Sequence, residues 1–157
     1  MKNFLATLLV AWWLTSCVVF AEAPRFWNGD KNYPLIWENS QVAWYLNKNS
    51  VTVKINDPPF FIITAQVVTT NDSETYEFFF DEDDIDMRVF DKAIADWQPL
   101  NPSEVTAANQ HVIYAGEAVF YVTQGRKFYG NYLWKAEVDG KTYNFDRFTD
   151  EIYLDWR

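Results

Sequence analysis

A single histidine, His111, is the only imidazole that this chain offers for acid–base chemistry. A serine nucleophile is often carried on a G-x-S-x-G turn, which the sequence lacks, and neither Ser50 nor Ser103 lies in such a context. The one cysteine, Cys17, lies in an apolar stretch near the N-terminus. These residues argue against a serine or cysteine hydrolase. They predict that His111 is a surface or loop residue just before a helix.

The densest group of carboxylates is the run Asp81–Asp86. Calcium is bound by several oxygen ligands, so the weak candidates for a metal site are Asp81, Asp83, Asp84 and Asp86. An EF-hand loop needs a glycine at its sixth position, and none lies between Asp81 and Asp91. We therefore expect a solvated acidic turn that hinders pairing at the sheet edge, with no metal and no other cofactor.

Glycoside cleavage by two carboxyl groups stays open as an alternative. Pairs such as Glu77 with Asp81, or Glu117 with Asp146, can be judged only from their geometry. Nucleotide binding has no support, because neither G-x-G-x-x-G nor a phosphate-binding loop occurs. With 22 acidic and 13 basic side chains the net charge is −9, which disfavours nucleic acid and anionic lipid surfaces as partners.

Aromatic side chains make up 19% of the chain, well above ordinary usage, and some of them could form a binding surface. The segment Gln124–Tyr132 is the strongest candidate, because it places two cations beside several aromatics in an acidic protein. The residues predicted to bind are Trp44, Tyr45, Arg126, Lys127, Tyr129, Tyr132 and Trp134. The alternative is that these rings belong to a large aromatic core.

The N-terminus is typical of a secretion signal. Lys2 supplies a positive charge, Phe4–Phe20 is almost wholly apolar, and Ala21-Glu22-Ala23 offers small residues to a signal peptidase. We predict an exported protein that is secreted, periplasmic or on the cell surface. As an alternative, Leu14-Thr15-Ser16-Cys17 resembles a lipobox, in which Cys17 would be acylated and would anchor the protein to a membrane.

After the signal peptide (residues 1–23) and an irregular lead-in (24–36), a single domain is predicted over residues 37–157. Alternating apolar and polar residues predict five consecutive antiparallel strands in its first half. They cover residues 42–46, 51–55, 60–70, 76–80 and 85–89, with Asn47–Asn49 as the turn between the first two.

The second half is predicted to contain the helix. Apolar spacing favours a helix over residues 115–128, after one helical turn at Lys92–Trp97. Asp139-Gly140 predicts a hairpin turn between strands at 132–138 and 141–145, whereas residues 148–157 fit either a strand or a helix. The expected fold class is α+β, an antiparallel meander of about five to seven strands with one packed helix.

Two of the predicted strands, at Phe60–Ile63 and Tyr76–Phe80, are apolar on both faces. One helix covers only one face of a sheet. The sequence therefore predicts that the other face meets the C-terminal hairpin, a partner subunit or a ligand.

Two short motifs carry a family resemblance. Trp37 is followed by Trp44–Val51, an aromatic strand with a turn and a step into the next strand, and Trp97–Ser103 is a tryptophan–proline–serine step toward a helix. These motifs, within residues 37–130, resemble small bacterial surface-adhesin protein E-like domains. The resemblance implies an antiparallel sheet with a packed helix, on an exported protein that binds host or matrix components. Unlike many members, this chain has no cysteine after Cys17, and it continues beyond the helix with its own hairpin.

The sequence thus predicts an exported, non-enzymatic binding protein whose partner is a protein or a glycan. Two alternatives stay open. One is an envelope-located hydrolase of glycan or cell-wall substrates, and the other is a homodimeric structural subunit.

Overall fold

The computed structural model describes residues 22–104, 106, 108–131, 136–138, 141–143 and 150–157. Most of the predicted signal peptide, including Cys17, lies outside these residues, so its cleavage or acylation stays a prediction. In the described part of the chain, no helix is both long enough and apolar enough to cross a membrane.

Six strands form one antiparallel sheet in which each strand pairs with the next along the chain. The sheet curves into a half-barrel with one main helix packed against it, which confirms the predicted α+β meander. The strands are β1 (Leu35–Glu38), β2 (Ala43–Asp57), β3 (Phe60–Val68), β4 (Ser73–Asp81), β5 (Asp86–Asp91) and β6 (Asp96–Pro99). The predicted strands at 60–70, 76–80 and 85–89 correspond to β3, β4 and β5.

Strand β2 is one long strand where the sequence predicted two strands and a turn. Its pairing with β3 shifts between Asn47, opposite Gln66, and Thr52, opposite Thr64. Ser50 stabilises this bulge, because its hydroxyl accepts a hydrogen bond from the Gln66 N–H (2.8 Å) and donates one to the Asn47 carbonyl (2.7 Å). The predicted turn at Asn47–Asn49 is wrong, since the bulge absorbs these polar residues without reversing the chain.

The two edge strands also differ from the sequence prediction. Strand β1 forms at the end of the predicted irregular lead-in and reaches Glu38, which is opposite Ala43 of β2. The helical turn predicted at Lys92–Trp97 is wrong. Strand β6 begins at Asp96, where that turn was expected to end. Residues 92–95 instead form a hairpin turn, in which the Asp91 carboxylate accepts the Ala93 N–H (2.8 Å).

Helix α1 spans Gln110–Gln124, so it starts and ends earlier than the predicted range of 115–128. Gly125 ends it in the left-handed conformation (φ 67°), which glycine adopts at low cost, and its N–H donates to the Tyr121 carbonyl. Gly116 faces the sheet, where a Cβ would collide with the side chain of Met87. The small residue therefore lets the helix lie close to β5.

The C-terminal stretch that fitted either a strand or a helix is the helix α2 (Asp150–Trp156). The Trp156 indole N–H donates to the Leu35 carbonyl of β1 (3.1 Å), and Asp155 forms an ion pair with Arg25. The predicted C-terminal hairpin pairs through β7 (Ala136–Val138) and β8 (Lys141–Tyr143). Its turn at Asp139-Gly140 lies outside the described residues.

The core lies between α1 and the inner face of the sheet. Phe61 of β3 and Phe80 of β4 contact Phe120 of α1, with ring centroids 5.5 and 4.9 Å apart, and Phe128 contacts both Phe80 and Phe120. Phe61, Phe80 and Phe120 are completely inaccessible to solvent. Much of the aromatic excess of this chain is therefore core.

Candidate binding surface

The two predicted binding residues on β2 are neighbours in the chain, but their side chains contact different elements. Tyr45 is buried, and its ring stacks on Trp27 with centroids 6.2 Å apart. Trp44 is half-buried and stacks on His111 in the first turn of α1. Since Arg126–Tyr129 follow the last turn of the same helix, Trp44 and these residues lie at opposite ends of α1.

The cations of the predicted binding segment pack against the protein itself. The Arg126 guanidinium pairs with Glu82 (2.5 Å) and lies 5.7 Å from the Phe61 ring centroid. The hydrogen bond to Glu82 raises the pKa of Arg126. The Lys127 ammonium lies 4.5 Å from the centroid of the Tyr153 ring.

Tyr129 is a core residue. Its hydroxyl donates to the Leu100 carbonyl (2.7 Å) and accepts the Met87 N–H (3.2 Å). Tyr132 and Trp134, the last two residues predicted to bind, lie outside the described residues. The described members of the predicted set therefore do not form one surface.

Glu117 explains why this segment is held in place. Its fully buried Oε1 accepts the N–H groups of Phe128 (2.9 Å) and Gly130 (3.3 Å) and the Tyr153 hydroxyl (2.8 Å), and Oε2 accepts the Tyr129 N–H (2.8 Å). Burial raises the pKa of Glu117, and these four donors act in the opposite direction because they favour the charged form. The carboxylate ties α1 to the following segment and to α2.

His111 lies in the first turn of α1, and not before the helix as predicted, because α1 already starts at Gln110. Its ring is half-buried, lies 4.7 Å from the Trp44 ring and has Nε2 3.3 Å from the Tyr76 hydroxyl. That hydroxyl donates to Glu74 (2.6 Å), so it accepts from His111 when Nε2 carries the proton. Burial lowers the pKa of His111, although the charge of Glu74 acts in the opposite direction.

The acidic run after β4 is a turn. Oδ1 of Asp81 accepts the N–H groups of Asp83 (3.1 Å) and Asp84 (3.4 Å), which closes the turn, and Asp86 pairs with Arg88 (2.6 Å). Within the described ranges, no group of three or more histidine, cysteine, aspartate or glutamate side chains could hold a metal ion.

Two open cavities lie near strands β5 and β6. The larger, about 610 Å³, lies between Tyr76, Leu100 and Val112, and the smaller, about 460 Å³, is lined by several carboxylates that include Glu104. Glu77, Asp81 and Glu117, the described members of the carboxyl pairs considered for glycoside cleavage, do not line them. The members of these pairs lie on the outer sheet face (Glu77 and Asp81), in the core (Glu117) or outside the described residues (Asp146).

A second aromatic cluster lies on the outer face of the sheet, away from α1. Phe79 on β4 contacts Phe60 on β3 (ring centroids 6.2 Å apart) and Trp97 on β6 (5.9 Å), and Trp97 contacts Phe90 on β5 (5.3 Å). We name these four residues the outer aromatic strip. Phe60 is 44% exposed, and the other three are half-buried.

The strand register extends this apolar surface toward β2. Ile62 is opposite Phe79, and Ile55 of β2 is opposite Ile62 on the other side. Ile55 is itself 44% exposed. This surface could not be predicted from the sequence, because its residues come from separate strands. The available signal was the pair of strands that are apolar on both faces.

Carboxylates flank one end of the outer aromatic strip. Asp57 and Asp81 are the residues opposite Phe60 on its two neighbouring strands, and Asp86 is opposite Asp81. Asp86 is paired with Arg88, whereas the Asp57 carboxylate has no hydrogen-bond or ion-pair partner among the residues that the structure describes. Phe60 thus lies between two carboxylates.

Comparison with known proteins yields no match to a family model, to a curated protein or to a solved structure. The resemblance to surface-adhesin protein E-like domains therefore stays a prediction.

Proposed function

We propose that this chain is an exported, non-enzymatic binding protein that takes a protein partner on the outer face of its sheet. The observation that carries the proposal is the outer aromatic strip. Its rings contact one another across four strands, and none of the described helices packs over them. A contiguous apolar surface with tryptophan and phenylalanine at its centre is typical of a protein interface.

A protein partner fits the strip better than a glycan. Sugar rings stack on flat platforms, but Trp97 is tilted by 58° to Phe79 and by 67° to Phe90. The aliphatic side chains of Ile55 and Ile62 continue the same surface. An apolar surface of such irregular shape is packed best by the varied side chains of another protein.

A hydrolase with a serine nucleophile would depend on His111, the only histidine of the sequence. The chain Glu74–Tyr76–His111 is ordered, but Trp44 covers one face of the imidazole and Nε2 is directed at Tyr76. None of the hydrogen bonds of this cluster involves a serine or threonine hydroxyl that could act as a nucleophile. Binding therefore has the stronger support.

Site-specific photocrosslinking in the native cells tests the proposal. A benzophenone amino acid replaces Phe79 or Trp97 in turn, and Leu154, an exposed apolar residue on α2, serves as the matched control position. We expect a discrete protein adduct at both strip positions and none at Leu154. An adduct of twice the chain mass would identify a second copy of this chain as the protein partner.

Two outcomes contradict the proposal. One is the same adduct pattern at Leu154 as at the strip, which would indicate non-specific contact. The other is a diffuse carbohydrate adduct, which would make the partner a glycan.

Export is the second part of the proposal, and mass spectrometry of the native protein tests it. A chain that starts at Pro24 supports cleavage after Ala23, and an acylated Cys17 supports a lipid-anchored form. A full-length chain that still starts at Met1 would contradict export through a cleaved signal.

A further inference from the structure

We infer that the partner presents cationic side chains, arginine above all, to the Phe60 end of the outer aromatic strip, an inference that rests on the proposed function. The recognising group is the row of Asp57, Phe60 and Asp81, which are opposite one another on β2, β3 and β4. The partner is therefore a basic protein segment.

The chemistry of this row favours a cation. Phe60 is 44% exposed, so part of its side chain is accessible to a ligand. A cation over an aromatic face is attracted by the ring quadrupole, and a carboxylate within reach adds a charge-assisted hydrogen bond. Arginine suits the row better than lysine, because its planar group stacks on a ring while its N–H groups reach the carboxylates beside it.

The two basic residues next to the row leave part of its charge available. Lys54 pairs with Glu77 (2.6 Å), and Arg88 pairs with Asp86 (2.6 Å). The Asp57 carboxylate has no hydrogen-bond or ion-pair partner within the described ranges, and the Asp81 carboxylate accepts its hydrogen bonds, from two backbone N–H groups, on one oxygen. With a net charge of −9, the whole molecule also attracts a basic partner.

The protein contains the same arrangement within its own fold. The Arg126 guanidinium lies 5.5 Å from the Phe120 ring centroid and 5.7 Å from that of Phe61, and it pairs with Glu82. A cation between aromatic rings and a carboxylate is therefore a stable combination at the surface of this protein. Phe60, with a carboxylate on each side, offers a partner the ring and the carboxylates but supplies no cation of its own.

The probe is a hexa-arginine peptide, titrated into the purified mature protein while the backbone amides are observed by NMR. Hexa-lysine and hexa-citrulline are the matched peptides, since citrulline keeps the shape of arginine without its charge. We expect saturable shifts of the amides of Asp57, Phe60 and residues 81–83, weaker binding of hexa-lysine and no binding of hexa-citrulline.

Variants locate the effect. Each of Asp57→Asn and Phe60→Ala should weaken hexa-arginine binding by about two- to fivefold. Glu151→Gln, which removes one charge at an exposed position of α2, should change it little. Retained amide dispersion in each variant shows that a loss of binding is not a loss of fold.

Three results would overturn the inference. If hexa-citrulline bound as tightly as hexa-arginine, the row would not recognise a cation, although the strip would still bind a partner through its aromatic side chains. Equal weakening by Glu151→Gln would mean that only the overall acidity matters. Shifts that avoid the row would place the cation elsewhere. Failure of the proposed function itself shows separately, as the absence of strip-specific photocrosslinks.

Discussion

Phe79 and Trp97 contact each other on the outer face of the sheet, with ring centroids 5.9 Å apart, although strand β5 lies between their strands. The contact joins Phe60 on one side to Phe90 on the other. An antiparallel sheet with one solvated face normally alternates apolar and polar residues, so an aromatic path across that face departs from the usual pattern. Covering it with a partner would remove apolar surface from water, at about 25 cal/mol per Å².

Adjacent phenylalanines on β3 should differ sharply in their effect on stability. Phe61 is completely inaccessible to solvent, so Phe61→Ala should lower the free energy of unfolding by about 3–5 kcal/mol. Phe60→Ala should cost less than about 1 kcal/mol, because Phe60 is 44% exposed on the outer face. Urea unfolding of the two variants measures both values. Equal losses would mean that the outer strip is part of the folding core.

The Glu117 contacts predict an ordered series of losses. Glu117→Gln keeps one oxygen for the Oε1 donors but turns an amide NH₂ group toward the Tyr129 N–H, so it should cost about 1–3 kcal/mol. Tyr153→Phe removes one donor of four and should cost less. Thermal unfolding of both variants checks the order. If Glu117→Gln left the stability unchanged, this carboxylate would not be what holds the segment.

Acidification should destabilise the protein partly through His111. Because burial lowers the pKa of His111, the unfolded chain binds this proton more readily than the folded protein does. The stabilising contribution is therefore complete above the ordinary histidine pKa of about 6.5, and it is lost as the pH falls below that value and through the lowered pKa of the folded protein. We expect a smaller drop in urea midpoint between about pH 7.5 and about pH 5.5 in His111→Gln than in the unmodified protein. An identical drop in both would assign the acid sensitivity to other groups.

Ser50 should matter more than an ordinary surface serine. Its hydroxyl makes two of the hydrogen bonds of the β2 bulge, so Ser50→Ala should cost about 1–2 kcal/mol. Ser40 is exposed, and Ser40→Ala is the matched control with little expected effect. Urea unfolding of the two variants compares them, and equal stabilities would mean that the bulge does not depend on this hydroxyl.

The parts of the fold that alternation controls could be predicted from the sequence. Strand β5 is an example, because Met87 and Val89, which pack in or against the core, alternate in the sequence with Asp86 and Arg88. The bulge at Ser50 could not be predicted, because polar residues in a strand pattern look like a turn unless the partner strand is known. Strand β6 is short and contains Pro99, so its pattern carries little information.

The candidate site depends on register, which the sequence does not contain. Phe79, Phe90 and Trp97 lie in separate strands, and only the pairing of β4, β5 and β6 brings them to one face. Apolar residues on both faces of β3 and β4 indicated that a second face needed cover, but not which rings would meet there. The segment at Arg126–Tyr129 was attractive by composition, yet its contacts are largely within the fold.

Oxidative footprinting of two tryptophans tests whether a partner covers the outer aromatic strip in cells. Trp97 of the outer aromatic strip and Trp27 of the lead-in are both half-buried, so they are matched reporters. Hydroxyl radicals are applied to intact native cells and to the purified protein, and oxidation of each tryptophan is measured by mass spectrometry. We expect Trp97 to be protected from oxidation in cells relative to Trp27. Equal relative oxidation in cells and in solution would contradict it, because the outer face would then be uncovered where the protein works.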